Sequence, residues 1–413
     1  MSDSHSLPNS RLISIDVLRG CAALGVVIAH SYPLEPANLA QQYLWFDYLR
    51  IILGQLTLGV PLFFVISGFC IHLRWTQRYA RTGQTKTDFI DFWKRRVHRL
   101  YPPYLVVLCF CMSMVLVSYF LGRASYYPEP KLRWIGLDFA THLLMLHGFH
   151  PLLDNGGGNP AMWTLAREEY FYILYFGLLA WRLKWKLPAT VFSVIGLGLA
   201  FPFMMKLFLQ PHSYYWPTVK SSAIALWIQW VLGMVAVEAY YGLIKLPRWC
   251  RTAWMIPVWF VAAKVSYHYW GDLSLIFSLG IIFYGMTFFT LINFCIDAEA
   301  SSSWSKHRMT LWLANVGLFS YSLYLVHYPV MMILRELFGV IAPPSNVWIA
   351  LGEAVVKVVV AFYVAKLFFN LVERRFLNTS VGFRSIKRSG ADGARTSSPP
   401  ADEVRSDFAG RTP

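Results

Sequence analysis

The chain is short of charge. Only 14% of its 413 residues are Asp, Glu, Lys or Arg, too few to cover the surface of a water-soluble domain of that length. It is short of cysteine as well. The six (Cys21, Cys70, Cys109, Cys111, Cys250, Cys295) fall almost entirely in apolar stretches. Their spacing matches neither a zinc site nor a disulfide framework, so they read as core residues and no metal is expected. Acidic residues are few, 22 against 37 Lys and Arg, which leaves a net charge of +15. The positives sit in loops between apolar runs, the pattern of positive-inside loops and lipid-phosphate contact, which argues against nucleic acid as a partner. No short apolar region with a small-residue cleavage site opens the chain, so the first apolar stretch is expected to be retained. Internal repeats and an appended soluble catalytic domain are also missing, so any chemistry is expected within the apolar region.

What is abundant is hydrophobic surface: 56% of residues, a mean hydropathy of +0.44, and 17 Trp and 23 Tyr that suit membrane interfaces as well as packing. Apolar runs near 12–32, 51–73, 100–121, 163–181, 187–209, 221–241, 252–270, 272–295, 316–338 and 347–371 each approach the ~20 residues a bilayer requires. They predict an all-α polytopic membrane helical bundle of about ten transmembrane helices, with the lipid bilayer as its solvent. An eleventh stretch, 139–149, is too short and holds His142 and His147, so it reads as re-entrant or interfacial. With ten spans, the basic residues of 74–99, 182–186, 245–251, 306–308 and 374–375 all face one side, which makes that side and both termini cytoplasmic. Arg123, Lys131 and Arg133 are exceptions. The expected organisation is a cytoplasmic segment 1–11, a membrane domain 12–372 and a disordered cytoplasmic tail 373–413 rich in Ser, Pro, Gly and Arg.

Ionisable residues inside apolar spans mark candidate sites, because each costs roughly 2.5–3.5 kcal/mol even on the lenient insertion scale. The first span carries Asp16, Arg19 and His30. Eleven helical residues turn through about 1100°, so Arg19 and His30 share a face about 16 Å apart along the axis. Asp16, three residues before Arg19, can pair with it; the competing reading is a snorkelling Arg and a satisfied His. In Leu58-Gly-Val-Pro-Leu-Phe-Phe-Val-Ile-Ser67-Gly68-Phe69 the small residues read chiefly as helix-packing positions. Arg96 and Arg99 lie one turn apart at the foot of the third span, where two planar guanidinium forks can aim at one phosphate or simply meet lipid headgroups. Pro102 suits a helix start or a break there. A glycine loop at 156–158 precedes a helix with Trp163 and the adjacent carboxylates Glu168 and Glu169, of which at most one faces the interior. The other can pair with Arg167 or reach water, and a solvated helix start is the plainer alternative. Late in the chain, Tyr321, Tyr324 and His327 share a face, and Pro329 should kink the helix and free a carbonyl. This cluster can be structural or can bind an acceptor. Lys264, His268, Glu353 and Lys357 are further ionisable residues in spans, without an assigned role.

In order and spacing, these five segments resemble the signature of the membrane acyltransferase-3 family: an Arg and a His separated by ten residues in the first span, a Ser-Gly second-span motif, Arg-x-x-Arg followed by Pro, Trp-Ser/Thr-Leu-x-x-Glu-x-x-Phe-Tyr, and Ser-Tyr-x-x-Tyr-Leu-x-His-x-Pro. Pro61 departs from the acidic residue usual there, and Tyr170 from a frequent Gln. The resemblance implies an O-acyltransferase, integral to the cell (inner) membrane, that takes an acyl group, by default acetyl, from cytoplasmic acyl-CoA. The acceptor would be a hydroxyl of a glycan, a lipid-linked saccharide or a secreted small molecule. Acyl-CoA is then a donor substrate and no cofactor is implied. Arg19, Arg96 and Arg99 would bind the donor, His30 would act as general base, and Glu168 would orient, relay or bind sugar hydroxyls. Asp16, Ser67, Trp163, Tyr324 and His327 would support them. His30 could instead carry the acyl group itself in a ping-pong scheme. The competing classes are a transporter using the same intramembrane charges and a subunit that passes acyl groups to a separate transferase.

Overall fold

Where no water is available, every backbone N–H and C=O must find its partner within its own segment, which leaves the helix as the way for an apolar run to fold. The structure, a computed structural model, describes residues 11–31, 44–122, 132–210, 213–270, 274–341 and 346–377, and among them there is no strand. Arg123, Lys131, the side chain of His268, residues 1–10 and the tail from 378 lie outside the described residues.

Twelve principal helices follow one another among the described residues: α1 (Ile13–Ser31), α2 (Leu44–Gly54), α3 (Gly59–Thr82), α4 (Phe89–Phe120), α5 (Leu132–Leu143), α6 (Trp163–Phe208), α7 (Ala223–Tyr240), α8 (Met255–Trp270), α9 (Ser274–Ser301), α10 (Arg308–Leu318), α11 (Ser320–Ile341) and α12 (Val347–Leu371). Seven helical segments are each long and apolar enough to cross a bilayer. An eighth crossing is possible through α10 and α11, which meet at a 72° bend. Many large apolar side chains point outward, Phe120, Phe208 and Trp348 among them, each about three-quarters exposed. A surface of that kind is untenable in water, and the chain is a multi-pass membrane protein.

Helix boundaries follow local chemistry. α6 contains a break at Lys186 (φ 62°, ψ 166°), two residues before Pro188, and this falls between the expected spans 163–181 and 187–209. The expected third span starts earlier than the prolines suggested. Asp88 caps α4 by accepting from the Asp91 N–H at 3.0 Å, and the helix runs through Pro102 and Pro103 rather than starting at them. In the same turn as the prolines, the Tyr321 hydroxyl of α11 donates to the Leu100 carbonyl at 2.8 Å and so ties α4 to α11. Segment 139–149 is not a span: α5 ends at Leu143 and a 3₁₀ turn, His147–Phe149, follows.

α1 lies at the centre, packed on α3, α10, α11 and α12. Its first turn is held from outside, because the Ile13 and Ser14 N–H groups donate to the Glu299 carboxylate at 3.0 and 2.8 Å. α3 and α7 touch backbone to backbone at Gly68 and Gly233. A Cβ at Gly68 would run into the Trp230 carbonyl, and one at Gly233 into that of Val65. At the far end of the bundle a 3₁₀ turn, Glu373–Phe376, tucks its buried Glu373 beneath α11, so the folded unit reaches Phe376 rather than ending at 372. The cysteines divide: Cys111 and Cys250 are buried, whereas Cys21 and Cys109 are exposed on the outside of the bundle and are not core residues. Nothing selects against a thiol on a face that is apolar anyway.

Candidate functional site

A cavity of about 160 Å³ opens between α1, α3, α4, α6 and α11. Three arginines line it: Arg19 from α1, and Arg96 and Arg99 from α4. Facing them are Glu168 from α6, Ser67 from α3 and Tyr324 from α11. Residues separated by as much as 305 positions thus meet around one space, because α1 threads between α3 and α11. The Glu168 carboxylate accepts from the Tyr172 hydroxyl at 3.2 Å, and the Ser67 hydroxyl also reaches it. Arg96 rests over the faces of Phe92 and Tyr172, 5.6 and 5.8 Å from their centroids. The rings hold the guanidinium plane without consuming its N–H groups. Among the described residues nothing accepts from Arg96 Nε. Three cations against one carboxylate make a site for an anion, with planar forks suited to phosphate oxygens.

Asp16 is not part of this site. It is buried and pairs with Arg11, not with Arg19. Arg19, one turn further along the helix, lines the cavity. Trp163 also stays outside the cavity, packed edge-on against Phe64 and beneath the Arg167 guanidinium. Glu168 lies in the second turn of α6, so it is not a dipole-stabilised helix start. Glu169 is buried, and neither carboxylate pairs with Arg167, which bonds Asp154 at 2.8 Å and Ser221 instead.

His30, at the other end of α1, is exposed, and its ring lies 5.2 Å from that of the buried His327. The His30 Nδ1 is 2.9 Å from the Val26 carbonyl; a carbonyl can only accept, so Nδ1 carries the proton and Nε2 keeps its lone pair. Between His327 and the cavity stands Tyr324, its ring 5.6 Å from that of His327. Its hydroxyl accepts from Thr164 at 2.8 Å and donates to the Ala161 carbonyl at 3.1 Å. Pro329 lacks the N–H that would bond the Leu325 carbonyl, and the Asn159 side chain supplies that donor at 2.9 Å. α11, which runs on through Pro329, is thereby pinned to the segment that leads into α6.

Two residues that build the site carry no role in the sequence reading, Tyr172 as the last residue of the fourth motif and Glu373. Tyr172, which holds Glu168, lies four residues after it, a spacing that placed both on one face from the outset. Glu373 accepts from the Ser322 N–H at 3.1 Å and from the Ser322 hydroxyl, and so caps α11 at the point where that helix enters the site. In the sequence it falls at the first residue of the expected tail, beside Arg374 and Arg375. Burial pushes the Glu373 carboxyl above its ordinary range, against the Ser322 hydrogen bond and the pull of Arg99 and Arg19. The glycine loop proves structural. Gly157 adopts φ 68°, its N–H donates to Asp138 at 2.5 Å, and a Cβ there would press on the His142 ring. His142 and His147 stack 3.8 Å apart, both fully buried.

These features define a membrane-embedded helical bundle with an interior cavity lined by three arginines and a carboxylate, and with a histidine pair at the opposite end of α1. The chain belongs to the acyltransferase-3 family, whose model, an acyltransferase domain, matches residues 12–368. It is 24% identical over 354 residues to the O-acetyltransferase OatA of Staphylococcus aureus (strain NCTC 8325 / PS 47), covering 79% of this chain and 52% of that protein. To the peptidoglycan O-acetyltransferase OatA of Listeria monocytogenes it is 25% identical over 404 residues, 90% of this chain and 57% of the relative. The putative peptidoglycan O-acetyltransferase YrhL of Bacillus subtilis is 25% identical over 358 residues, 80% and 52% respectively. The chain thus spans about half the length of these relatives. No solved structure matches it.

Proposed function

We propose that the protein is an O-acyltransferase that moves an acetyl group from acyl-CoA to a hydroxyl of a glycan, with His30 as general base. The observation that carries this reading is the joint lining of one cavity by Arg19, Arg96, Arg99 and Glu168, with His30 on the same helix as Arg19. The three arginines bind the donor's phosphates. The thioester arm then follows α1 for the roughly 16 Å that separates Arg19 from His30. The acceptor hydroxyl is a weak nucleophile until a base removes its proton, and His30 Nε2 is available for that. As the new C–O bond forms and the C–S bond breaks, the proton taken by His30 passes to the departing thiolate. Glu168, held by Tyr172 and Ser67, orients the donor arm or its counter-charges. The relatives' names support acetyl as the acyl group and peptidoglycan as the kind of acceptor.

The same reading places the bundle in the cell (inner) membrane with ten crossings: the seven long segments, the bent α10–α11 pair, α8, and α6 counted twice across its break. Both termini are then cytoplasmic and the arginine cavity takes its donor from that side, consistent with the basic loops. His30→Ala should lower transfer by about 10²–10⁴-fold while coenzyme A binding and membrane accumulation persist. Unimpaired acylation in that variant would remove His30 from the mechanism.

A further inference from the structure

We propose that His327 acts through His30 as a positioning residue, sharing the proton that His30 removes from the acceptor hydroxyl. The inference rests on the acyl-transfer reading above and adds to it the second imidazole.

Both rings are prepared alike. His327 Nδ1 donates to the Tyr324 carbonyl at 2.7 Å, as His30 Nδ1 donates to that of Val26 at 2.9 Å. Each histidine therefore offers Nε2 as a lone pair, and the rings stand 5.2 Å apart and tilted by 44°. His327 is wholly buried, and among the described residues nothing donates to its Nε2. A buried acceptor left without a donor is costly, and His30 is the neighbour placed to supply one. The missing donor arises when His30 becomes imidazolium: its Nε2–H can then point to His327 Nε2, and one proton serves both rings. The titratable groups around His327 are His30 from α1, and Tyr324 and Tyr328 from its own helix, whose rings lie 5.6 and 6.4 Å away. None of these competes as a strong donor or brings a fixed charge.

The step balances. The acceptor O–H proton moves to His30 Nε2 as oxygen bonds the acyl carbon, His327 accepts a hydrogen bond from the imidazolium, and His30 releases the proton to the thiolate when the C–S bond breaks. His327 neither gains nor loses an atom. It holds His30 in orientation and stabilises its charged form.

The test uses the full chain in detergent or vesicles, with His327→Gln and His30→Ala compared against the parent for kcat, donor KM, the pH profile of kcat and binding of coenzyme A alone. His327→Gln should lower kcat by on the order of ten- to hundredfold, less than the loss of the base itself. Donor KM and coenzyme A binding should stay put. The acidic limb of kcat should move to lower pH, because His30 loses the partner that favours its protonated form. An unchanged kcat and limb in His327→Gln, with His30→Ala inactive, would overturn the proposal and leave the reading of His30 intact. Loss of coenzyme A binding together with activity, and an unmoved limb, would make His327 a packing residue and equally overturn it. Full transfer by His30→Ala would sink the acyl-transfer reading on which both stand.

Discussion

Replacing Arg99 with Gln tests the anion cavity most directly. The side chain keeps most of its bulk and loses its charge, in a space where Arg19 and Arg96 stay in place. A hydrogen bond to a charged partner contributes about 1.5–3 kcal/mol. At about 1.36 kcal/mol per decade, one lost arginine–phosphate contact should raise the donor KM, and the Kd of coenzyme A, by roughly ten- to hundredfold. The turnover at saturating donor should change little, since Arg99 lines the cavity beside Arg19 and His30 stands at the other end of α1. Arg96→Lys is the sharper companion. It preserves charge but loses the planar fork that rests on Phe92 and Tyr172, so affinity should still fall. Because the three arginines converge on one space, Arg96→Gln combined with Arg99→Gln should cost less than the two losses summed. Contacts inside the bundle are poorly screened, so the Arg99→Gln defect should persist at high salt, whereas a loose surface patch would lose its contribution there. Titration calorimetry with coenzyme A at two ionic strengths would read all of this. If Arg96→Gln and Arg99→Gln both bind coenzyme A as the parent does, the cavity is not the phosphate site and the arginines only meet lipid headgroups.

Glu373→Gln should separate stability from donor binding. It weakens the cap on α11 by about 1–3 kcal/mol, so the Tm should fall. It also removes a negative charge near Arg99 and Arg19, so donor affinity should hold or rise a few-fold; a fall in both would place Glu373 in the donor site itself. His147, in the 3₁₀ turn outside the spans, has its pKa pushed down to about 3 by burial and by its stacked neighbour His142. The unfolded chain therefore binds a proton there that the folded chain refuses, and stability should rise with pH between about 3 and 6.5. Thermal unfolding at pH 7 and pH 5 should show a loss at the lower value that shrinks in His147→Gln. An identical slope in the variant would mean that other groups govern the acid sensitivity.

Much of the architecture could be read from the chain because solvent dictates it. Runs of about twenty apolar residues have one way to fold in lipid, and the gap between the runs 163–181 and 187–209 coincides with the break at Lys186. The rotation that aligned Arg19 with His30 followed from helix geometry alone. The pairing of charges was less legible. Asp16 has basic residues five before it and three after it, and the spacing alone favoured Arg19; the partner is Arg11, because Arg19 turns to the cavity. Arg167 stands beside Glu168, yet neighbours on a helix diverge by about 100°, and its partner Asp154 comes from the loop before the helix. Partner choice depends on tertiary approach, and periodicity does not carry that.

Pro329 shows how far the two levels interlock. Its missing N–H leaves the Leu325 carbonyl open, and Asn159, on the loop leading into α6, closes it. In the same stretch Thr164 and the Ala161 carbonyl hold the Tyr324 hydroxyl, and Glu168 lies one turn further on. The proline thus ties the segment bearing the carboxylate to the helix bearing His327. α1 is gripped at its start by Glu299 and packs against that same helix. The separation of Arg19 from His30 is fixed by the rise of one helix, and the helix packed beside it is joined to the carboxylate-bearing segment by hydrogen bonds. A donor with phosphates at one end and a thioester at the other would meet a frame of set length, and the position of its reacting carbon would follow from where its phosphates bind.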